Sequence, residues 1–295
     1  MASTQSGAVA AMYREWTRAQ LHGEPTDPES WGDLTAEPRG TDYVETDAGG
    51  VPAMWVLPKD HDPGAVLLCL HGGGFVGGSI YTHRKMFGHL AKAVGGRALL
   101  VDYRHAPAHV FPAQLDDATA GYRRLLDEDA GRVAVVGDSS GGGLALAMML
   151  RARADGLPLP VAGLLISPWV DMALTGASYE TNAATETYFF RDVVAQLAEL
   201  YLGGESPTSP LASPLHADLT GLPPLYLQVG AEEALLDDSR LLAERARAAG
   251  VDVRLDVFAQ QQHTFQMAAG RAPEADDAIA RFAAWVRPLL AGDAR

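Results

Sequence analysis

Short apolar runs separated by longer stretches of helical period set the rhythm of this chain. Strand-like runs fall at 65–70, 97–101, 133–136, 164–166, 225–229 and 253–258. Brief continuous runs of this kind mark strands covered on both faces. Helix-compatible segments lie between them, such as the apolar stretch at 144–150. Two earlier runs, 41–46 and 53–57, open the series as an antiparallel pair turning at Ala48, Gly49 and Gly50. The alternation predicts an α/β architecture: a mostly parallel central sheet of about eight strands with helices on both faces.

Two segments break the rhythm. Residues 8–22 carry Met12, Trp16 and Ala19 at helical spacing and lead into a proline-rich linker. Residues 178–201 hold Tyr188, Phe189, Phe190, Val193, Val194, Leu197, Leu200 and Tyr201. They sit in the long excursion between the strand ending at Ile166 and the strand beginning at Leu225. The sequence carries no internal repeat and no low-complexity tract.

Candidate chemistry lies at two strand ends. The run Gly137-Asp138-Ser139-Ser140-Gly141 joins the strand at 133–136 to the apolar helical stretch. A serine between glycines at a strand-to-helix turn is how a fold exposes a reactive hydroxyl, with the helix N-terminus behind it favouring negative charge. With 31 glycines in the chain the five-residue match means little by itself; strand before and helix after give it weight. Ser140 is the nearby rival, without a glycine on each side. Upstream, the strand at 65–70 runs into His71-Gly72-Gly73-Gly74-Phe75. Successive glycines leave backbone N–H groups free to face an oxyanion. Gly72 and Gly73 are the candidate donors, with the N–H of Ser140 as a third. A flexible loop and a nucleotide-binding loop are the rivals, the second weakened because the spacing fits neither G-x-G-x-x-G nor a Gly-Lys-Ser/Thr ending. His71 is read as structural, hydrogen-bonded within the loop.

On these residues the chain resembles the hormone-sensitive-lipase-like branch of the α/β-hydrolases, the bacterial family IV esterases. Supporting landmarks are Asp102-Tyr103-Arg104-His105-Ala106-Pro107, Phe111-Pro112-Ala113, Ser167-Pro168-Trp169, Ser213-Pro214-Leu215 and Gly221-Leu222-Pro223-Pro224. The likeness runs from about Val44 to the last helix. Ser140 stands where the family commonly has alanine, His105 where it has leucine, Ala108 where it has glutamate, and Gln261 and Gln262 where it often has Met-Pro. None of these departures removes a catalytic group.

In this fold the order along the chain is serine, acid, histidine. Only His216 and His263 follow Ser139. His263 lies just after the last strand, where the fold places its base; His216 is read as a solvated surface side chain. The family pattern puts Glu233 at the acid position, with Glu232, Asp237 and Asp238 as rivals; the two aspartates also suit a helix N-terminus. The resemblance thus implies a Ser139–His263–Glu233 triad that hydrolyses short- to medium-chain carboxylic esters through an acyl-enzyme. It also implies cap helices at 1–40 (with the linker) and 171–205, around a catalytic domain at 41–170 and 206–295. Phe75, Trp169, Tyr188, Phe189 and Phe265 are candidate pocket walls or core residues. Lactone, amide or carbamate hydrolysis on the same site stays open, as does a non-catalytic small-ligand receptor of this fold; relatives that often dimerise leave a homodimer open.

Composition adds exclusions. Hydrophobic residues make up 47% of the 295-residue chain, enough to cover a sheet on both faces, and no apolar run approaches the length that spans a bilayer. A formal net charge of −14 argues against nucleic acid and against anionic membranes. The N-terminus lacks the basic-then-apolar pattern of a signal peptide, and the single cysteine, Cys69, falls in a buried strand. The expectation is a cytoplasmic enzyme with no metal and no cofactor.

Overall fold

The structure is a computed structural model and describes residues 3–25 and 27–292. Positions 1, 2, 26 and 293–295, which the predicted N-terminal and catalytic segments include, lie outside the described residues. A central sheet of eight strands has the order β1-β2-β4-β3-β5-β6-β7-β8. β1 (Thr41–Asp47) pairs with β2 (Pro52–Pro58), and β2 with β4 (Arg97–Val101), both antiparallel. The other pairings are parallel and join β3 (Ala65–Leu70), β4, β5 (Arg132–Asp138), β6 (Ala162–Ile166), β7 (Leu225–Gly230) and β8 (Val253–Phe258). This is the mostly parallel α/β sheet read from the apolar runs. Every residue of β3, β6 and β7 is buried. β8 is an edge strand and mostly half-buried, with Arg254 and Asp256 ion-paired on it; charges on an edge discourage further strand pairing.

Helices α1 (Gly7–Leu21), α2 (Ile80–Val94), α3 (Ala113–Asp127), α4 (Ser140–Ala154), α5 (Ser178–Thr181), α6 (Arg191–Leu202), α7 (Leu236–Ala248) and α8 (Pro273–Ala291) complete the described elements, together with short 3-10 turns. α4 is buried from Ser140 through Leu150, as expected of a helix that is apolar on every side. No helix among the described residues is long and apolar enough to cross a membrane. The segment at 178–201 is not one continuous helix. Between α5 and α6 the carboxylate of Glu186 accepts the N–H groups of Thr187, Tyr188 and Phe189, so those donors are withdrawn from helical bonding.

The parallel strands all point their carboxyl ends at one edge of the sheet, where open α/β sheets bind ligands. β3 delivers the glycine run there, β5 Ser139, β7 Glu233 and β8 His263.

Beside this edge lies a buried carboxyl, Asp238 on α7. It accepts the N–H groups of Val170 and Asp171 and the hydroxyl of Tyr179. Desolvation pushes its pKa from 3.8 up to about 8, and the charge of Asp171 adds to the rise. Below the unfolded value both states hold the proton. From there up to about 8 the native state keeps a proton that the unfolded state has released, so this group's contribution is progressively lost as pH rises. An amide can stand in for the neutral acid: its oxygen accepts the two N–H groups, and its NH2 donates to the Tyr179 oxygen once that hydroxyl turns to accept, as the O–H of the protonated carboxyl would. Asp238→Asn is therefore expected to lift Tm at pH 8 by about 2 °C or more while leaving it nearly unchanged at pH 4. Calorimetric Tm curves that stay parallel across that range would contradict the buried neutral acid.

Candidate active site

Ser139 lies between the end of β5 and the start of α4 with φ 53° and ψ −123°. A serine in such a backbone persists only where its surroundings enforce it. Here they do: its N–H donates to the Ile166 carbonyl at 2.8 Å, and its carbonyl accepts from the Trp169 N–H at 2.9 Å. The flanking glycines are required by space. A Cβ on Gly137 would lie 2.1 Å from the Gly141 carbonyl oxygen, and one on Gly141 would lie 2.1 Å from that of Leu70.

The Ser139 hydroxyl is 2.9 Å from His263 Nε2, and His263 Nδ1 is 3.0 Å from Glu233 Oε2. All three side chains are buried. With a carboxylate at Nδ1, that nitrogen carries the proton and donates it, leaving Nε2 to accept from the hydroxyl. Burial raises the Glu233 carboxyl above its ordinary value, while the neighbouring imidazole and the Ser167 hydroxyl pull it back. A relay of this form can take a proton from a hydroxyl as it attacks and stabilise the resulting imidazolium. The rivals are committed elsewhere. Glu232 accepts from the Gln262 side chain at 3.2 Å. Asp237 accepts the Ser178 N–H and pairs with Arg240. His216 was expected to be a solvated surface residue; it is half-buried, with Nε2 2.9 Å from Asp171.

One oxyanion candidate is corrected. The Gly72 N–H donates to Asp138 Oδ1 at 3.0 Å, so it is not free for a ligand. Asp138 precedes Ser139, and Leu70 is in register with Gly137, which sets the aspartate beside the first glycine. Its other oxygen is 3.3 Å from His83 Nε2, and a Cβ on Gly72 would come within 2.4 Å of it. The N–H groups of Gly73, Gly74 and Ser140 have no acceptor among the described residues. His71 lies within the loop as expected, its Nδ1 2.8 Å from the Gly72 carbonyl and its ring stacked on Tyr103. Desolvation holds its pKa well below the ordinary value, so the ring is neutral.

A cavity of about 280 Å³ adjoins the site through Gly73 and Phe189. Tyr188 and Phe189 line it as expected, joined by Trp16, Trp31, Val193 and Leu197. Phe75, Trp169 and Phe265 do not line it. Phe75 stacks on Tyr201 at 3.8 Å and meets Trp169, and Phe265 packs on Phe258; these three are core residues, because each ring is already covered by another. The Phe189 ring stands edge-on to His263, 4.4 Å between centroids. Tyr13 on α1 places its hydroxyl 3.2 Å from the His263 carbonyl oxygen and 2.8 Å from the Thr264 hydroxyl.

Sequence reasoning missed Asp138, Tyr13, Trp31 and Glu186. Asp138 carried a signal, an acid fixed inside the elbow motif. Glu186 carried none beyond being an acid in a polar stretch before three aromatics.

Comparison with known proteins adds independent findings. The pattern of the family described as alpha/beta hydrolase fold matches residues 67–267. An acetyl-hydrolase of Streptomyces hygroscopicus is 40% identical over 286 residues, 96% of this chain and 91% of that protein. Carboxylesterase NlhH of Mycobacterium tuberculosis is 34% identical, covering 94% and 89% of the two chains. A crystal structure of an esterase from the bacterial hormone-sensitive lipase (HSL) family superimposes with a TM-score of 0.93 at 42% identity, over 98% of this chain and 99% of that one.

Proposed function

The chain belongs to the α/β-hydrolase fold family, in its bacterial hormone-sensitive-lipase branch, and is an ester hydrolase; from that membership we propose that Ser139, His263 and Glu233 form its catalytic triad. The observation that carries the reading is the unbroken relay of two hydrogen bonds among three buried side chains, starting at a strained elbow serine.

Ser139 attacks the ester carbonyl while His263 Nε2 takes its proton. Glu233 orients the ring and stabilises its charged form. The tetrahedral oxyanion is received by the N–H groups of Gly73, Gly74 and Ser140, Gly74 replacing the Gly72 that Asp138 occupies. Ser140 is the first residue of α4, so its N–H is one that the helix leaves unpaired. His263 returns the proton to the leaving alcohol, and a water activated by the same nitrogen releases the acid.

α1 and residues 171–205 act as the cap. Trp16, Tyr188, Phe189 and Leu197 from these segments wall the cavity. Its volume of about 280 Å³ lies at the small end of ligand pockets, and no charged side chain among the described residues lines it. The substrates are therefore neutral esters with short to medium acyl chains. A fluorophosphonate probe is expected to label Ser139, identified by peptide mass spectrometry. A p-nitrophenyl ester series from acetate to dodecanoate should peak at the short end. Best turnover on the long, insoluble esters would replace the esterase reading with that of a lipase.

A further inference from the structure

Residues 182–189 are bound to the two loops that carry Glu233 and His263 by several hydrogen bonds. The Asn182 amide donates to the carbonyls of Ala231 and Glu233 at 3.0 and 2.9 Å. The Thr187 hydroxyl donates to the Gln262 side chain at 2.9 Å. Glu186 stands at the centre, only 4% exposed. Its Oε1 accepts the N–H groups of Thr187, Tyr188 and Phe189 at 2.8, 2.9 and 3.0 Å, and its Oε2 accepts that of Ala234 at 2.8 Å.

Resting on the triad reading above, we propose that Glu186 is a positioning residue that sets the alignment of the His263–Glu233 pair. One carboxylate holds the residue after Glu233 and also the backbone of Phe189, whose ring lies against His263. The acid is thereby fixed through its chain neighbour and the imidazole through its ring neighbour. A capping role for the local turn does not account for the residue. A serine or asparagine closes such a turn without placing a charge in the interior, and burying a carboxylate is costly unless its bonds are made. What needs the longer carboxylate is the bond to Ala234, 48 positions along the chain.

Two variants separate the roles. Glu186→Gln keeps the size but turns one acceptor into a donor facing an N–H. Glu186→Asp keeps the charge and the local turn, and is one methylene too short to reach Ala234. Each is titrated with a fluorophosphonate and assayed on p-nitrophenyl butyrate. The downfield proton of the His263–Glu233 hydrogen bond is recorded by NMR in the phosphonylated enzyme. Both variants are expected to lose about tenfold or more in kcat with KM changed less than about threefold, and to shift or broaden the downfield proton. A merely structural residue would lower Tm and leave that resonance in place. Folded variants with kcat within about twofold of the parent, or a loss confined to KM, overturn the proposal. So does failure of both to fold, since Glu186 would then serve the fold and not the pair. A parent enzyme that the probe does not label removes the triad reading itself; a parent labelled at one site alongside unaffected variants removes only this one.

Discussion

Ser139→Ala lowers kcat on p-nitrophenyl butyrate by about 10⁵-fold or more, with KM little changed. The size follows from what is lost. Without the hydroxyl there is no nucleophile to form an acyl-enzyme, and His263 Nε2 has nothing to deprotonate but water. The oxyanion donors and the cavity remain, and such residual machinery still accelerates hydrolysis by about 10³–10⁴ over the uncatalysed rate, so the floor is low but not zero. Loss of fold is separable from loss of chemistry at this position. The backbone at Ser139 has φ 53°, and alanine carries the same Cβ penalty there as serine does, so Tm should barely move. Ser139→Gly, which removes that penalty, should be equally inactive and at least as stable. Rates are read after fluorophosphonate titration, which must show no labelled serine in either variant. A clean alanine variant that keeps even a hundredth of the parent kcat would move the nucleophile away from Ser139.

The strands and the elbow were legible because each depends on local sequence. Apolar runs at 65–70 and 97–101 coincide with β3 and β4 at both ends, and the glycines at 137 and 141 answer to contacts fixed by one tight turn. Chain order left two histidines after Ser139, and His263 was preferred because it follows the last strand. The choice of Glu233 over Glu232 rested on resemblance, since two adjacent acids at a strand end differ only in the side to which the turn directs them. The assignment of Gly72 failed for a reason no local pattern contains. Its N–H is captured by Asp138, a side chain on the adjacent strand β5, and that depends on the register of two strands far apart in the chain. The pocket walls divided in the same way. Phe75 was a candidate for wall or core, and Tyr201 from α6 covers its ring. Trp31, far from either motif, lines the cavity. Glu186 was silent because the four backbone N–H groups its carboxylate accepts are gathered only in the folded chain.

The acids at 232 and 233 supply the sharpest remaining contrast, because the same chemical change at neighbouring positions should have opposite outcomes. Glu233→Gln is expected to lower kcat by about 10³–10⁴-fold. The amide NH2 can turn toward His263 Nδ1 and donate to it. The imidazole proton then moves to Nε2, the nitrogen that must accept from Ser139, and the base is lost without any change of shape. The site also loses the buried charge that stabilises the imidazolium as the hydroxyl attacks. Glu232→Gln removes a bond between its carboxylate and the Gln262 amide at 3.2 Å on a partly exposed side chain, and should leave kcat within about threefold. Both variants keep volume and packing, so equal thermal stability checks that the comparison concerns chemistry. If activity instead survives at 233 and collapses at 232, the acid of the relay is Glu232, reached through a rearrangement of the loop after β7. The Glu186–Ala234 bond would then hold that loop in a resting arrangement, and its loss in Glu186→Asp would raise the rate.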